Sequence, residues 1–494
     1  MKSNEPFADH TDQLARAEEA VSALEAKRND RWYPAYHIAA RGGWINDPNG
    51  LCYHDGRYHV FFQHHPYSPE WGSMHWGHVS GTDLVHWNRE PIALAPSIEA
   101  DRSGCWSGSC VTGDDGRLYA FYTGHRQDVD GPGIRCQTQC LAISDDGTHF
   151  EKKGVVVRAP RGVVNFRDPK VWREGELWCM VVGQQSPERH GQVALYTSRD
   201  LVTWTGGDVI YEYPDSNVYM LECPDLFALG GKWVLCFSAM GMQPNGFVAR
   251  NRNNAGYVVG SWSLGEPFVA ETAFRLWDWG HNYYAPQSFE APDGRRIQLG
   301  WMTDFHLTAP QMADGWCGQM TLPRVLTLRD DNVVLTPPAR EVEGLFEPLA
   351  QYDSLELILN EERALCDDLT CGKVEVTLDL ARTSAERVGL KVHQAADDDY
   401  LYVAWDAQIG CAVADRRCAR QGNKGYRAAP VAGNTLRLAL YLDRGSVEVI
   451  VNDGETVMSE LSFPLEGPRA VSILSESGAA RIANIRIASL RQRD

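Results

Sequence analysis

Long apolar runs are missing from this chain. None reaches 18 residues, so no segment is suited to cross a bilayer as a helix. The opening stretch M-K-S-N-E-P-F-A-D-H has neither an apolar core nor a small-residue cleavage site, so no secretory leader is expected in it. The 13 cysteines include no C-x-x-C. An odd count in so large a chain argues against a disulfide framework and for buried thiols in a reducing compartment, so the expected location is cytoplasmic. Positive charge is the scarcer sign, with 47 Lys and Arg against 65 Asp and Glu and a net charge of −18. That field disfavours nucleic acid and anionic membrane as partners; it does not repel a neutral sugar.

Helical periodicity is confined to one place. Residues 11–28 carry Leu14, Ala17, Val21 and Leu24 at 3/4/3 spacing, which predicts an amphipathic helix capped by Thr11 or Asp12. It is read as a surface element, with association into a homo-oligomer as the alternative. Residues 1–31 form this extension. From 32 to 338, short runs such as R-Y-H-V-F-F-Q-H, R-L-Y-A-F-Y-T-G and K-W-V-L-C-F-S-A alternate with Gly, Asp, Asn and Pro clusters. The predicted class is therefore all-β. Aromatics are plentiful, with 16 Trp, 19 Tyr and 15 Phe. They suit both strands and sugar-stacking surfaces. Residues 339–352 read as a packed connector. Residues 353–494 show alternating strands such as T-L-R-L-A-L-Y-L-D and S-V-E-V-I-V-N-D, which predict a β-sandwich.

A weak repeat runs through the first β region. S-G-T-D-L-V-H-W ends at Trp87, S-D-D-G-T-H-F at Phe150 and S-R-D-L-V-T-W at Trp204, at intervals of 63 and 54 residues. A period near 60 fits propeller blades, about five of them in this length. Ser107, Asp168 and Glu222 follow the repeat ends by 20, 18 and 18 residues, and one period before Ser107 lies N-D-P-N-G at 46–50. Equivalent positions in successive blades face one axis, so Asp47, Ser107, Asp168 and Glu222 are expected to converge. Singly, Asp47 in D-P-N-G and Asp168 before Pro169 read as turn residues, and Glu222 reads as a salt-bridge partner. Their matched offsets favour a carboxylate cluster instead. A retaining glycosidase needs two such groups, a nucleophile and a general acid whose proton affinity is raised by its surroundings.

Three motifs, W-I-N-D-P-N-G at 44–50, F-R-D-P at 166–169 and E-C-P-D at 222–225, resemble in order and spacing the signatures of glycoside hydrolase family 32. Further similar segments include W-S-G-S at 106–109, Y-Y-A-P-Q at 283–287 and L-D-R-G-S-V-E-V-I-V-N-D-G-E at 442–455, so the likeness spans about 32–490. The helix followed by Y-P-A-Y-H resembles the intracellular bacterial sucrose hydrolase branch.

The resemblance implies a five-bladed β-propeller followed by a β-sandwich, and a retaining cleavage of a terminal β-fructofuranosyl bond in sucrose or sucrose 6-phosphate, with no cofactor. It implies Asp47 as nucleophile, Glu222 as acid and base, and Asp168 as a stabiliser kept ionised by Arg167. Asn46, Gln63, Trp71, Trp106 and Ser107 match substrate-contacting positions. Trp44 is expected on the pocket wall and Asp278 against the leaving-group sugar. Asn282 departs from the family's usual Asp, which is expected to remove a charge near the pocket mouth. Ala40-Arg41 replace a Pro-Pro, and Ile45 replaces a Met. A fructan exo-hydrolase, a fructosyltransferase and a non-catalytic sugar-binding propeller remain as alternatives. His64, His65, His75 and His78 lack a completing metal-ligand spacing and are read as wall or hydrogen-bonding residues. Cys223 is read as packing beside Glu222.

Overall fold

The computed structural model describes residues 9–127, 135–305 and 309–492. The N-terminal helix spans His10–Glu25, with Asp9 rather than Thr11 or Asp12 at its N-cap. It packs on its own chain. Ala17 and Val21 are buried with Ile92, and the Glu18 carboxylate accepts the Ile92 N–H at 2.7 Å. Among the described residues no helix is long and apolar enough to cross a membrane. None of the 13 cysteines forms a disulfide.

Five antiparallel sheets follow. Their inner strands are Gly43–His54, Gly104–Thr112, Phe166–Glu174, Met220–Leu229 and Tyr284–Glu290. Each touches the inner strand of the next blade, and the fifth touches the first, so the ring closes. Closure is reinforced by Trp316–Cys317, inserted within the fifth blade, which pairs in parallel with Gly43 and Trp44 of the first.

The repeat seen in the sequence has a local cause. Asp83, Asp146 and Asp200 each turn the chain between the third and fourth strands of a blade. In each, one carboxylate oxygen accepts two following backbone N–H groups at 2.7–2.9 Å. The fourth and fifth blades make this connection with other residues, so the repeat is legible in only three.

The second domain stacks two six-stranded sheets. Its core is a layer of Leu, Val and Ile from both, including Val374, Leu390, Leu440, Val449 and Ile482. Such aliphatic, interdigitated packing stabilises a sandwich by removing about 25 cal/mol per Å² of apolar surface from water. The strand Phe346–Leu357 is hydrogen-bonded to Ala480–Leu490. Part of the stretch 339–352 expected as connector therefore belongs to the sandwich sheet. Only a short 3₁₀ turn, Arg340–Leu345, precedes it.

The domains meet through buried charge. The Arg324 guanidinium donates to Asp278 at 3.0 Å and to Glu448 at 2.6 Å, and His37 bridges Asp443 at 2.7 Å and Glu448 at 3.1 Å. Buried ions are tolerated when paired in this way.

Candidate active site

Every inner strand loses register at the same level. The breaks fall between Ile45 and Pro48, Trp106 and Gly108, Arg167 and Lys170, Glu222 and Asp225, and Tyr284 and Gln287. A bulge leaves residues unpaired and turns their side chains out of the sheet alternation. Three of the five breaks contain proline, at 169, 224 and 286, and Pro48 closes a fourth; proline has no N–H to give to a ladder. Asp168 (φ 66°) and Cys223 (φ 49°) adopt left-handed backbone there, a conformation that non-glycine residues hold only when the surroundings enforce it. Gly50, ending the first motif, also has positive φ, and a Cβ on it would meet Phe61 and Cys110 at 2.6 and 2.7 Å.

The five bulges deliver one polar cluster to the mouth of the propeller axis. Asn46, Asp47, Gln63, Trp71, Trp106, Ser107, Arg167, Asp168 and Glu222 line a single cavity of about 280 Å³. The convergence expected from the blade offsets is thus present in the fold. Asp47 is gripped from both sides: Ser107 donates to Oδ2 at 2.6 Å and Asn46 Nδ2 to Oδ1 at 3.1 Å. Asn46 is itself fixed by the Trp44 indole N–H at 2.9 Å. Asp168 accepts the Cys223 backbone N–H at 2.9 Å, and its own N–H donates to Thr123. The Cys223 thiol lies 3.6 Å from an oxygen of Asp47 and 3.6 Å from one of Asp168. Those two oxygens are therefore no further apart than twice that distance.

Three expectations need correction, and a fourth, Arg167, gains a second partner. Arg167 acts on Asp168 as expected, through its charge at 3.9 Å, but its hydrogen bonds go to Glu222: Nη2 donates to Oε1 at 2.8 Å and Nε at 3.1 Å. Trp44 is buried behind the wall. Its ring meets Trp301 edge-on and stacks at 6.1 Å on Phe305, and it is Phe305 that faces the cavity. Asp278 does not reach the cavity. It lies in the domain interface, bound to Arg324 and to Ser459 Oγ at 2.7 Å. Asn282 is fully buried in the same interface, not at the pocket mouth.

The structure also adds residues that sequence reasoning passed over. Tyr284 donates its hydroxyl to Glu222 Oε2, so both oxygens of Glu222 are engaged. Its signal was the spacing of the motif prolines, since Pro286 follows Pro224 by 62 residues. Arg135, Met74, Met240, Asn253 and Phe305 complete the lining and carry no such signal. Asp225 of E-C-P-D works below the site. It accepts from Ser288 N–H and Oγ at 2.8 and 2.7 Å and sits 3.6 Å from Lys170, tying three inner strands together. His64 and His75 place Nδ1 on the backbone carbonyls of Trp44 and Ser73, and His78 faces His59.

The electrostatics follow from burial. Desolvation pushes the Asp168 carboxyl up to about 7; Arg167 opposes this, and the charges of Glu222 and Asp47 add to it. Desolvation also raises Asp47, against the hydrogen bonds from Ser107 and Asn46. Burial beside other carboxylates thus raises the proton affinity of both Asp47 and Asp168.

Residues 37–337 match the N-terminal domain of glycosyl hydrolases family 32, and residues 341–489 match its C-terminal domain. The chain is 41% identical over 473 residues to a sucrose-6-phosphate hydrolase of Escherichia coli, covering 94% of this chain and 97% of that one. It is 40% identical over 470 residues to a raffinose invertase of the same organism, with the same coverage. In three dimensions it resembles the Bombyx mori GH32 beta-fructofuranosidase BmSUC1, with a TM-score of 0.84 and 30% identity over 98% of this chain and 99% of that one. Both domains, and the acidic cluster their order predicts, place the chain in glycoside hydrolase family 32.

Proposed function

We propose that this protein is a retaining β-fructofuranosidase that hydrolyses sucrose or sucrose 6-phosphate. One observation carries the reading: Asp47, fixed by Ser107 and Asn46, shares a cavity with Glu222, fixed by Arg167 and Tyr284, and Asp168 stands beside both. In the first step an Asp47 oxygen attacks C2 of the fructosyl unit. The C2–O bond to the leaving sugar breaks, and Glu222 gives its proton to that oxygen. In the second step Glu222 takes a proton from water, the hydroxide attacks C2, and the ester to Asp47 is released. Asp168 accepts hydrogen bonds from ring hydroxyls and opposes the positive charge that spreads over C2 and the ring oxygen. Trp71 and Trp106, edge to face at 6.2 Å, form an aromatic wall for the sugar.

The small cavity suits one terminal fructosyl unit better than the interior of a polymer. The absence of disulfides among 13 cysteines supports a reducing, cytoplasmic setting. The test is reducing-sugar release from sucrose by the wild type, Asp47→Ala and Glu222→Gln. The variants are expected to lose activity while staying folded; equal activity in all three would remove the assignment, and no release from any fructoside would favour a binding module. Phosphate preference is tested through Arg135. It lines the cavity, whereas Arg167 is committed to Glu222. If sucrose 6-phosphate is the preferred substrate, Arg135→Ala lowers kcat/KM for it and leaves that for sucrose nearly unchanged.

A further inference from the structure

We infer that the C-terminal sandwich positions the catalytic acid, with Asn282 as the positioning residue that links the two. The inference rests on the reading of Glu222 as the acid. Residues 278–282 lie along the sandwich strand Thr456–Leu461 like an added strand. Trp279 N–H donates to the Val457 carbonyl at 2.7 Å and Asn282 N–H to the Ser459 carbonyl at 3.1 Å. In return Ser459 N–H donates to Asp278 at 2.9 Å, and Leu461 N–H donates to the Asn282 side-chain carbonyl at 2.9 Å. The approach is so close that a Cβ on Gly280 would lie 2.3 Å from the Ser459 carbonyl oxygen.

Two sandwich arginines clamp this segment. Arg416 Nη1 donates to Asn282 Oδ1 at 3.1 Å. Arg427 donates to Asn251 Oδ1 at 2.9 and 2.7 Å, and Asn251 Nδ2 donates to the Gly280 carbonyl at 2.9 Å. Two residues beyond Asn282, Tyr284 donates to Glu222, and two beyond Asn251, Asn253 lines the cavity. The route from sandwich to acid is therefore short: hydrogen bonds to Asn282, two residues of backbone, and the hydrogen bond from Tyr284 to Glu222. Asn282 has no exposed surface. Its amide oxygen serves two donors at once, and an Asp carboxylate at that position can accept the same two bonds.

The chemistry gives a readout that stability alone does not move. A misaligned general acid harms departure of a basic leaving group such as a sugar, and matters little when the leaving group is a 4-nitrophenolate, which departs without a proton. Since kcat/KM reports the first irreversible step, Asn282→Ala is expected to lower kcat/KM for sucrose by about tenfold or more, and for 4-nitrophenyl β-fructofuranoside by less than about threefold. Asn282→Asp is expected to stay close to wild type on both. Arg427→Met, at a half-buried site, gives a milder loss with the same leaving-group pattern and covers the case in which Asn282→Ala does not fold. Glu222→Gln is run alongside. If it shows the leaving-group pattern and folded Asn282→Ala or Arg427→Met loses equally on both substrates, the positioning role is overturned. If Glu222→Gln itself lacks the pattern, the reading of the acid fails first.

Discussion

The inner strands of the propeller and the strands of the sandwich are built from the same antiparallel hydrogen bonding, yet they solve opposite problems. At the centre of one sandwich sheet Gly372–Asp379 pairs with Thr435–Asp443, and Thr435–Asp443 with Ser446–Val451, residue for residue without a break; register shifts occur on other sandwich ladders, as between Glu375 and Thr377 against Ala480–Leu490. Their inward side chains are aliphatic and fully buried. All five inner strands of the propeller instead lose register at one level, and there they bury Asp47, Ser107 and Asp168. An unbroken ladder keeps strict alternation and a dry core; a broken one frees side chains to leave the alternation and meet at an axis. Regular pairing supplies stability, and the shared irregularity supplies the site. Between the two regions lies a third kind of packing, the buried ions of the domain interface, which holds the regular part against the irregular one.

This contrast can be broken at each point. The largest effect belongs to Asp47→Ala, which is expected to cost about 10⁴-fold or more in kcat for sucrose with an unfolding midpoint near that of the wild type. A variant that lost stability in proportion to activity would mean that the bulged strand is structural. Next is Arg324→Met at the interface. It strands Asp278 without its cation, leaves Glu448 with His37 alone, and is expected to cost about 3–5 kcal/mol in denaturant unfolding.

Leu440→Ala in the sandwich core is expected to cost about 2–5 kcal/mol while kcat/KM of the folded enzyme stays unchanged. A matching loss of activity would extend the site's dependence on the sandwich beyond the interface segment. The smallest effect is one of pH. Burial would lower the His37 imidazole, but its bonds to Asp443 and Glu448 outweigh burial and raise it from 6.5 to about 9. A raised pKa means stability that is complete below about 6.5 and is lost as pH climbs through about 9. The stability gap between wild type and His37→Gln, followed by thermal unfolding, is therefore expected to narrow over that window; a gap constant with pH would show that the imidazole is neutral in the fold.

The sequence by itself determined the class, the two-domain order and the convergence of Asp47, Asp168 and Glu222. Strand alternation is local, and a repeat period carries equivalent positions to one axis without knowledge of any contact. The helix could be placed to within a few residues for the same reason. Only the tertiary structure decided what each of these groups touches. Arg167 is adjacent to Asp168 in the chain, but a bulged strand sends its guanidinium to Glu222, 55 residues away. Trp44 and Asn282 sit inside site-like motifs, yet one lies behind the wall and the other in the domain interface. Asp278 pairs with a serine 181 residues further on. Spacing along a chain reports which residues share a level of the fold. The direction of a side chain leaving a broken ladder depends on neighbours from other blades and from the sandwich, and those arrive only when the ring closes.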